Sequence, residues 1–144
     1  MKNEHGLKIA IADGELQGGI DDGIFVFKGI PYAAPPVGDQ RWRAPQPVIP
    51  WQGVRSALHF SAASWQNREY CLAIGGGDPG DFSEDCLYLN VWTPELQPDK
   101  PLPVMVWLHG GGFTLGSGGL APYNGKPLAS RGAVIVTINY RLGH

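Results

Sequence analysis

Apolar and polar positions alternate at the start of the chain. Leu7, Ile9 and Ile11 are separated by Lys8 and Ala10, the period of a strand with one covered face. Asp13-Gly14 follows as a turn, and 17–20 is placed to pair back. Asp22-Gly23 is a hairpin signal before the strand Ile24-Phe25-Val26-Phe27. This opening predicts a small antiparallel meander. Further on, 86–92 alternates again and reads as a strand. The runs 102–108 and 133–139 are almost continuously apolar, as in strands of a parallel sheet covered on both faces. Between them Asn124 is a cap for a short helix through Arg131, with Pro127 in its first turn and Gly132 at its end. Strand, glycine loop, helix and strand make a βαβ unit, expected to cross over right-handedly.

The intervening segments differ in kind. Prolines at 31, 35, 36, 45, 47 and 50 exclude helix or central strand from 28–53. Tyr32, Trp42 and Trp51 are interleaved with them, which predicts an extended segment pinned to the core by aromatics. A short helix is expected within 56–68, a loop at 75–80 and a connector at 93–101.

At 144 residues the chain fits one domain, and its 43% hydrophobic and 17% charged content is globular. Gly 21 and Pro 13 are together about twice the usual share, so loops must be long and shaped. The net charge of −2 argues against a nucleic-acid partner. No apolar run approaches the ~20 residues of a membrane span. Residues 1–6 lack the apolar segment of a signal peptide, which makes a cytoplasmic location the default expectation. Cys71 and Cys86 are the only cysteines. Their spacing allows loop closure, whereas two reduced thiols are favoured in a cytosol.

The chemistry is concentrated in His109-Gly110-Gly111-Gly112-Phe113, directly after the apolar run 104–108. Three glycines leave the backbone bare, able to turn sharply and expose N–H groups. Such groups stabilise the negative oxygen that forms when a carbonyl is attacked, and a His-Gly-Gly-Gly loop after a strand is an oxyanion-hole signature. Other motifs fail on context. Gly75-x-Gly77-x-x-Gly80 follows no strand and contains Pro79, so it is no dinucleotide site. Pro127 stands where a phosphate loop needs Ser or Thr. No cysteine–histidine cluster has zinc spacing. Neither metal nor cofactor is expected. A Gly-x-Ser-x-Gly turn is absent too; Ser117 comes nearest, with Leu115 where the first glycine belongs.

Five segments, in order, resemble the type-B carboxylesterase and cholinesterase-like family of α/β-hydrolases. They are 27–33 (FKGIPYA), 36–38 (PVG) with Arg41-Trp42, 83–91 (SEDCLYLNV), the glycine loop at His109, and 139–143 (NYRLG). The resemblance implies an N-terminal meander leading into a mostly parallel sheet, and residues 1–144 as the N-terminal portion of one longer catalytic domain. It implies that Gly111 and Gly112 supply oxyanion amides, supported by His109 and Gly110, with a third amide following a serine outside these residues. Arg41 and Glu84 would form an internal salt bridge. Cys86 matches the second cysteine of an N-terminal disulfide, with Cys71 as its partner. In cholinesterases the loop between these cysteines is longer and carries an aromatic for choline; 75–80 has no aromatic, which speaks against choline esters.

The implied function is hydrolysis of small carboxylic esters through an acyl-serine, in a longer parent, with no triad residue in this chain and no turnover by the chain alone. The competing reading is a non-catalytic, cholinesterase-like binding module, from which the intact glycine loop argues away. The family strand order also leaves 102–108 as an unpaired apolar edge, an aggregation hazard.

Overall fold

The computed structural model describes residues 7–143. The meander is β1 (Leu7–Ile11), β2 (Gly14–Asp21) and β3 (Ile24–Pro31). Asp22 and Gly23 have φ of 47° and 83°, the two left-handed residues of a type I′ hairpin turn. A short strand β4 (Val54–Ser56), helix α1 (Arg68–Ala73) and strand β5 (Tyr88–Thr93) follow. The chain then forms β6 (Val104–Leu108), helix α2 (Lys126–Ala129) and β7 (Val134–Ile138).

The strands form one sheet in the order β1-β2-β3-β5-β7-β6, with β4 beside β2. The expected meander is present and leads to the expected parallel pair, β6 beside β7 with Val104 opposite Val134. Elsewhere the sheet is more antiparallel than the resemblance implied: β3 with β5 and β5 with β7 both run antiparallel. A parallel neighbour needs a crossover of a dozen residues or more. Between β6 and β7 the glycine loop and α2 supply one.

Strand alternation places Ile24, Val26, Trp92 and Ile135 on one face, where they pack with Ala129 of α2. Phe27, Leu16, Ile30 and Ala57 form the core on the other face. Burying such side chains contributes roughly 1.5–3 kcal/mol each, so this sandwiching is what holds the sheet.

Several expectations change. No helix forms in 56–65; α1 begins only at Arg68, where the Asn67 side chain accepts the Tyr70 N–H at 2.8 Å. Asn124 does receive the Lys126 N–H, at 3.1 Å, but α2 is a single turn rather than a helix through Arg131. Gly132, at φ +92°, ends the following turn. In the proline segment Tyr32 and Trp51 pin the backbone: the Tyr32 hydroxyl donates to Asn139 O at 2.6 Å and Trp51 Nε1–H to Glu15 O at 3.0 Å. Trp42 instead stands 71% exposed. Most consequentially, β6 is paired only on its β7 side and exposed on both faces, from Trp107 at 48% to Leu108 at 64%. Its apolar run reads as a buried strand, yet among the described residues only the Tyr123 ring against Trp107 partly covers it.

A buried polar chain crosses the sheet interior. Register shifts in β3 between Phe27 and Ile30, and Gly29 sits there at φ +70°. Its N–H is taken by Asn90 Oδ1 at 3.0 Å. Asn90 Nδ2 donates to Thr137 Oγ1 at 3.0 Å, and that hydroxyl donates to Gly118 O at 2.7 Å. We expect Asn90→Ala to lower stability by about 1–3 kcal/mol, because it leaves the buried Gly29 N–H without an acceptor. Urea unfolding of the two forms checks this; a midpoint unchanged by the substitution would contradict it.

Candidate active site

The glycine loop leaves the C-terminal end of β6 and doubles back on itself. Gly111 and Gly112 have φ of +123° and +59°, a region that favours glycine. At Gly111 a β carbon would sit 2.0 Å from Leu115 O, so only a bare Cα permits this approach. The Gly111 carbonyl accepts the Thr114 and Leu115 N–H groups at 3.1 and 3.3 Å, which closes the turn. The N–H groups of Gly111 and Gly112 donate to no acceptor among the described residues. Phe113 also lies at φ +60°, with its ring 70% exposed. A bulky residue there is strained, a feature that concentrates at functional sites.

His109 is not presented to solvent as a base. Its ring is buried and stacks on Tyr140, centroids 4.3 Å apart and planes 12° apart. Nδ1 lies 2.9 Å from Gly110 O; a carbonyl only accepts, so Nδ1 carries the proton. Burial holds the ring's pKa below its ordinary value of 6.5. The Tyr140 hydroxyl donates to His109 O. His109 is therefore a neutral, fixed support. Gly110, Gly112, Phe113, Ile138 and Tyr140 line an open, largely apolar groove of about 410 Å³ with Leu108 and His109. Two adjacent unclaimed amides, with Gly112 lining the apolar groove, are of the kind that can hold an oxygen that becomes negative.

This arrangement has relatives. The sequence pattern of the carboxylesterase family matches residues 6–144. The chain belongs to that family. It is 47% identical over 125 residues to fumonisin B1 esterase of Sphingopyxis macrogoltabida, across 87% of this chain and 23% of that protein. It is likewise 47% identical over 138 residues to phenmedipham hydrolase of Pseudarthrobacter oxydans, across 90% of this chain and 27% of that one. A solved carboxylesterase of Geobacillus stearothermophilus superposes with a TM-score of 0.83 at 40% identity, covering 94% of this chain and 26% of that structure. The chain thus spans about a quarter of the length of the relatives it matches.

The other carboxylesterase positions fall as follows. Arg41 and Glu84 form a bidentate pair, Nε to Oε1 at 2.5 Å and the second guanidinium nitrogen to Oε2 at 2.7 Å. The guanidinium holds the Glu84 carboxyl below its usual range. The resemblance implied an internal bridge; here both side chains are substantially exposed, 53% and 38%. Cys71 and Cys86 remain separate buried thiols, so the implied disulfide is not made. Cys71 Sγ packs close against Gly76, whereas Cys86 packs with Ala33 and Leu87. Burial pushes both thiols up, so both stay protonated.

Three residues to which the sequence assigned no role complete the support. Gln66 reaches across 50 residues to Gly116, accepting its N–H at 2.7 Å and donating to its carbonyl at 2.8 Å. The buried Asn139 amide accepts the Gly118 N–H at 2.7 Å and donates to Ala62 O at 3.1 Å. Tyr140 closes over His109. Asn139 and Tyr140 lie in a family motif, but spacing alone gave neither a role.

The burial of neutral His109 predicts a pH effect. Its folded pKa lies below the unfolded value, so the unfolded chain takes up the proton first as pH falls. The folded state keeps its full stability above about pH 6.5 and loses some below it. We expect urea midpoints between pH 7.5 and 5 to fall more steeply for the native sequence than for His109→Asn. Parallel curves would contradict a buried neutral ring.

Proposed function

We propose that these residues form the oxyanion-binding part of a serine esterase that hydrolyses small carboxylic esters. The observation that carries the reading is the pair of adjacent unclaimed amides at Gly111 and Gly112, in a turn closed by the Gly111 carbonyl and held at Gly116 and Gly118 by side chains from elsewhere in the fold. In the longer polypeptide a serine outside these residues attacks the ester carbonyl. The C=O π electrons move onto oxygen, and the two amides stabilise that charge while the alcohol departs and an acyl-serine forms. Water then attacks the acyl-serine, and the same amides hold the second tetrahedral oxygen before acid is released. The chemistry calls for no cofactor or metal. On this reading the 144 residues alone lack a nucleophile and turn over no ester.

The test has to remove a donor without reshaping the loop. At φ +123° beside Leu115 O, Gly111→Pro or Gly111→Ala would rebuild the turn. Gly112 has open space around its Cα, so a backbone ester placed there by semisynthesis deletes one N–H and little else. In the longer polypeptide we expect this change to lower kcat on p-nitrophenyl esters about 100- to 1000-fold, with KM little altered. Gly112→Ala, which keeps the N–H, should cost far less. Unchanged kcat in the backbone-ester form, or sustained turnover by the repurified 144-residue chain, would refute the proposal.

A further inference from the structure

We propose that Gln66 is the positioning residue that sets the direction of the Gly111 oxyanion amide; this rests on the esterase reading above. One peptide unit carries the constraint. Gly110 C=O and Gly111 N–H belong to the same planar group, and no peptide bond among the described residues is cis. The two therefore point in opposite directions, and fixing the carbonyl fixes the amide. His109 Nδ1 donates to that carbonyl at 2.9 Å.

Gly116 packs against the same carbonyl and the same ring. A β carbon at Gly116 would lie 2.8 Å from Gly110 O and 2.3 Å from His109 Nδ1. The bare Cα of Gly116, at φ +118°, is thus in close contact with both groups that orient the Gly110–Gly111 peptide.

Gly116 itself lies outside any strand or helix. Among the described residues, its N–H and C=O are held by the Gln66 side chain alone. The amide of Gln66 matches this pair because it carries both an acceptor and donors. Its Nε2 is also tied to Ser64 O at 3.1 Å, in a neighbouring segment independent of the loop. The chain of constraint is therefore Gln66 to Gly116, Gly116 to the Gly110 carbonyl, and that carbonyl to the Gly111 N–H. Gln66 touches no reacting atom; it acts through backbone.

The experiment compares Gln66→Met and Gln66→Glu in the longer polypeptide that the esterase reading requires. Met keeps the volume and loses both hydrogen bonds. Glu keeps the acceptor for Gly116 N–H and loses the donor to Gly116 O. We expect kcat to fall about 10- to 100-fold for Q66M, with KM within about twofold, and Q66E to lie between. Affinity for a trifluoromethyl ketone, which forms an oxyanion on the serine, should fall in step with kcat. Affinity for a non-reacting amide analogue should not, and a merely structural role would not produce that split. A kcat within about twofold of the native value, or a fall unmatched by the ketone, overturns the assignment.

Should Q66M be insoluble, Q66E is judged by the same two affinities. If the unsubstituted polypeptide hydrolyses no ester, the esterase reading fails on its own account. The positioning claim is then decided by NMR of the 144-residue chain. Faster Gly116 amide exchange together with a displaced Gly111 amide resonance in either variant upholds it, and an unmoved Gly111 resonance removes it.

Discussion

The amides of Gly111 and Gly112 are left without acceptors while the backbone at Gly116 and Gly118 is held by side chains from elsewhere in the fold. A loop of bare backbone would otherwise close its N–H groups onto its own carbonyls. Here Gln66 takes both polar groups of Gly116, Asn139 takes the Gly118 N–H and Thr137 donates to the Gly118 carbonyl. No buried side-chain nitrogen or oxygen among the described residues lacks a partner. Unsatisfied buried groups are costly, so a loop held in this way has little reason to rearrange.

That satisfaction is distributed over distant parts of the chain. The register shift in β3 exposes the Gly29 N–H to Asn90, Asn90 reaches Thr137, and Thr137 reaches the loop. A defect in the meander is thereby connected to the site through two buried polar residues, Asn90 and Thr137. His109 and Tyr140 add a second support, a neutral ring stacked on an aromatic rather than an acid or base. Beside the two left-handed glycines, Phe113 holds a left-handed backbone that is strained for a bulky residue.

The exposed strand β6 bears on how such a site is completed. It is paired only with β7, and apart from Trp107 against Tyr123 its side chains stand largely exposed, while the groove beside the loop stays open. Relatives matched over about a quarter of their length have the remaining chain available to cover such surfaces. Burial on both faces is what an apolar run of this kind encodes, and the described residues supply only one neighbour.

Local pattern was enough to fix the meander, the type I′ turn at Asp22-Gly23, the parallel pair β6–β7 and the glycine loop between them. Each depends on residues within a few positions of one another, through side-chain alternation, turn chemistry or the missing Cβ of glycine. The one-turn length of α2, the start of α1 at Asn67, the solvent exposure of Trp42 and the separation of Cys71 from Cys86 were settled by packing. So were the roles of Gln66, Asn139 and Tyr140. A polar side chain in a sequence carries no mark of which backbone group it will meet fifty residues away. That partner exists only once the sheet has brought β7, the segment around Gln66 and the glycine loop into hydrogen-bonding reach.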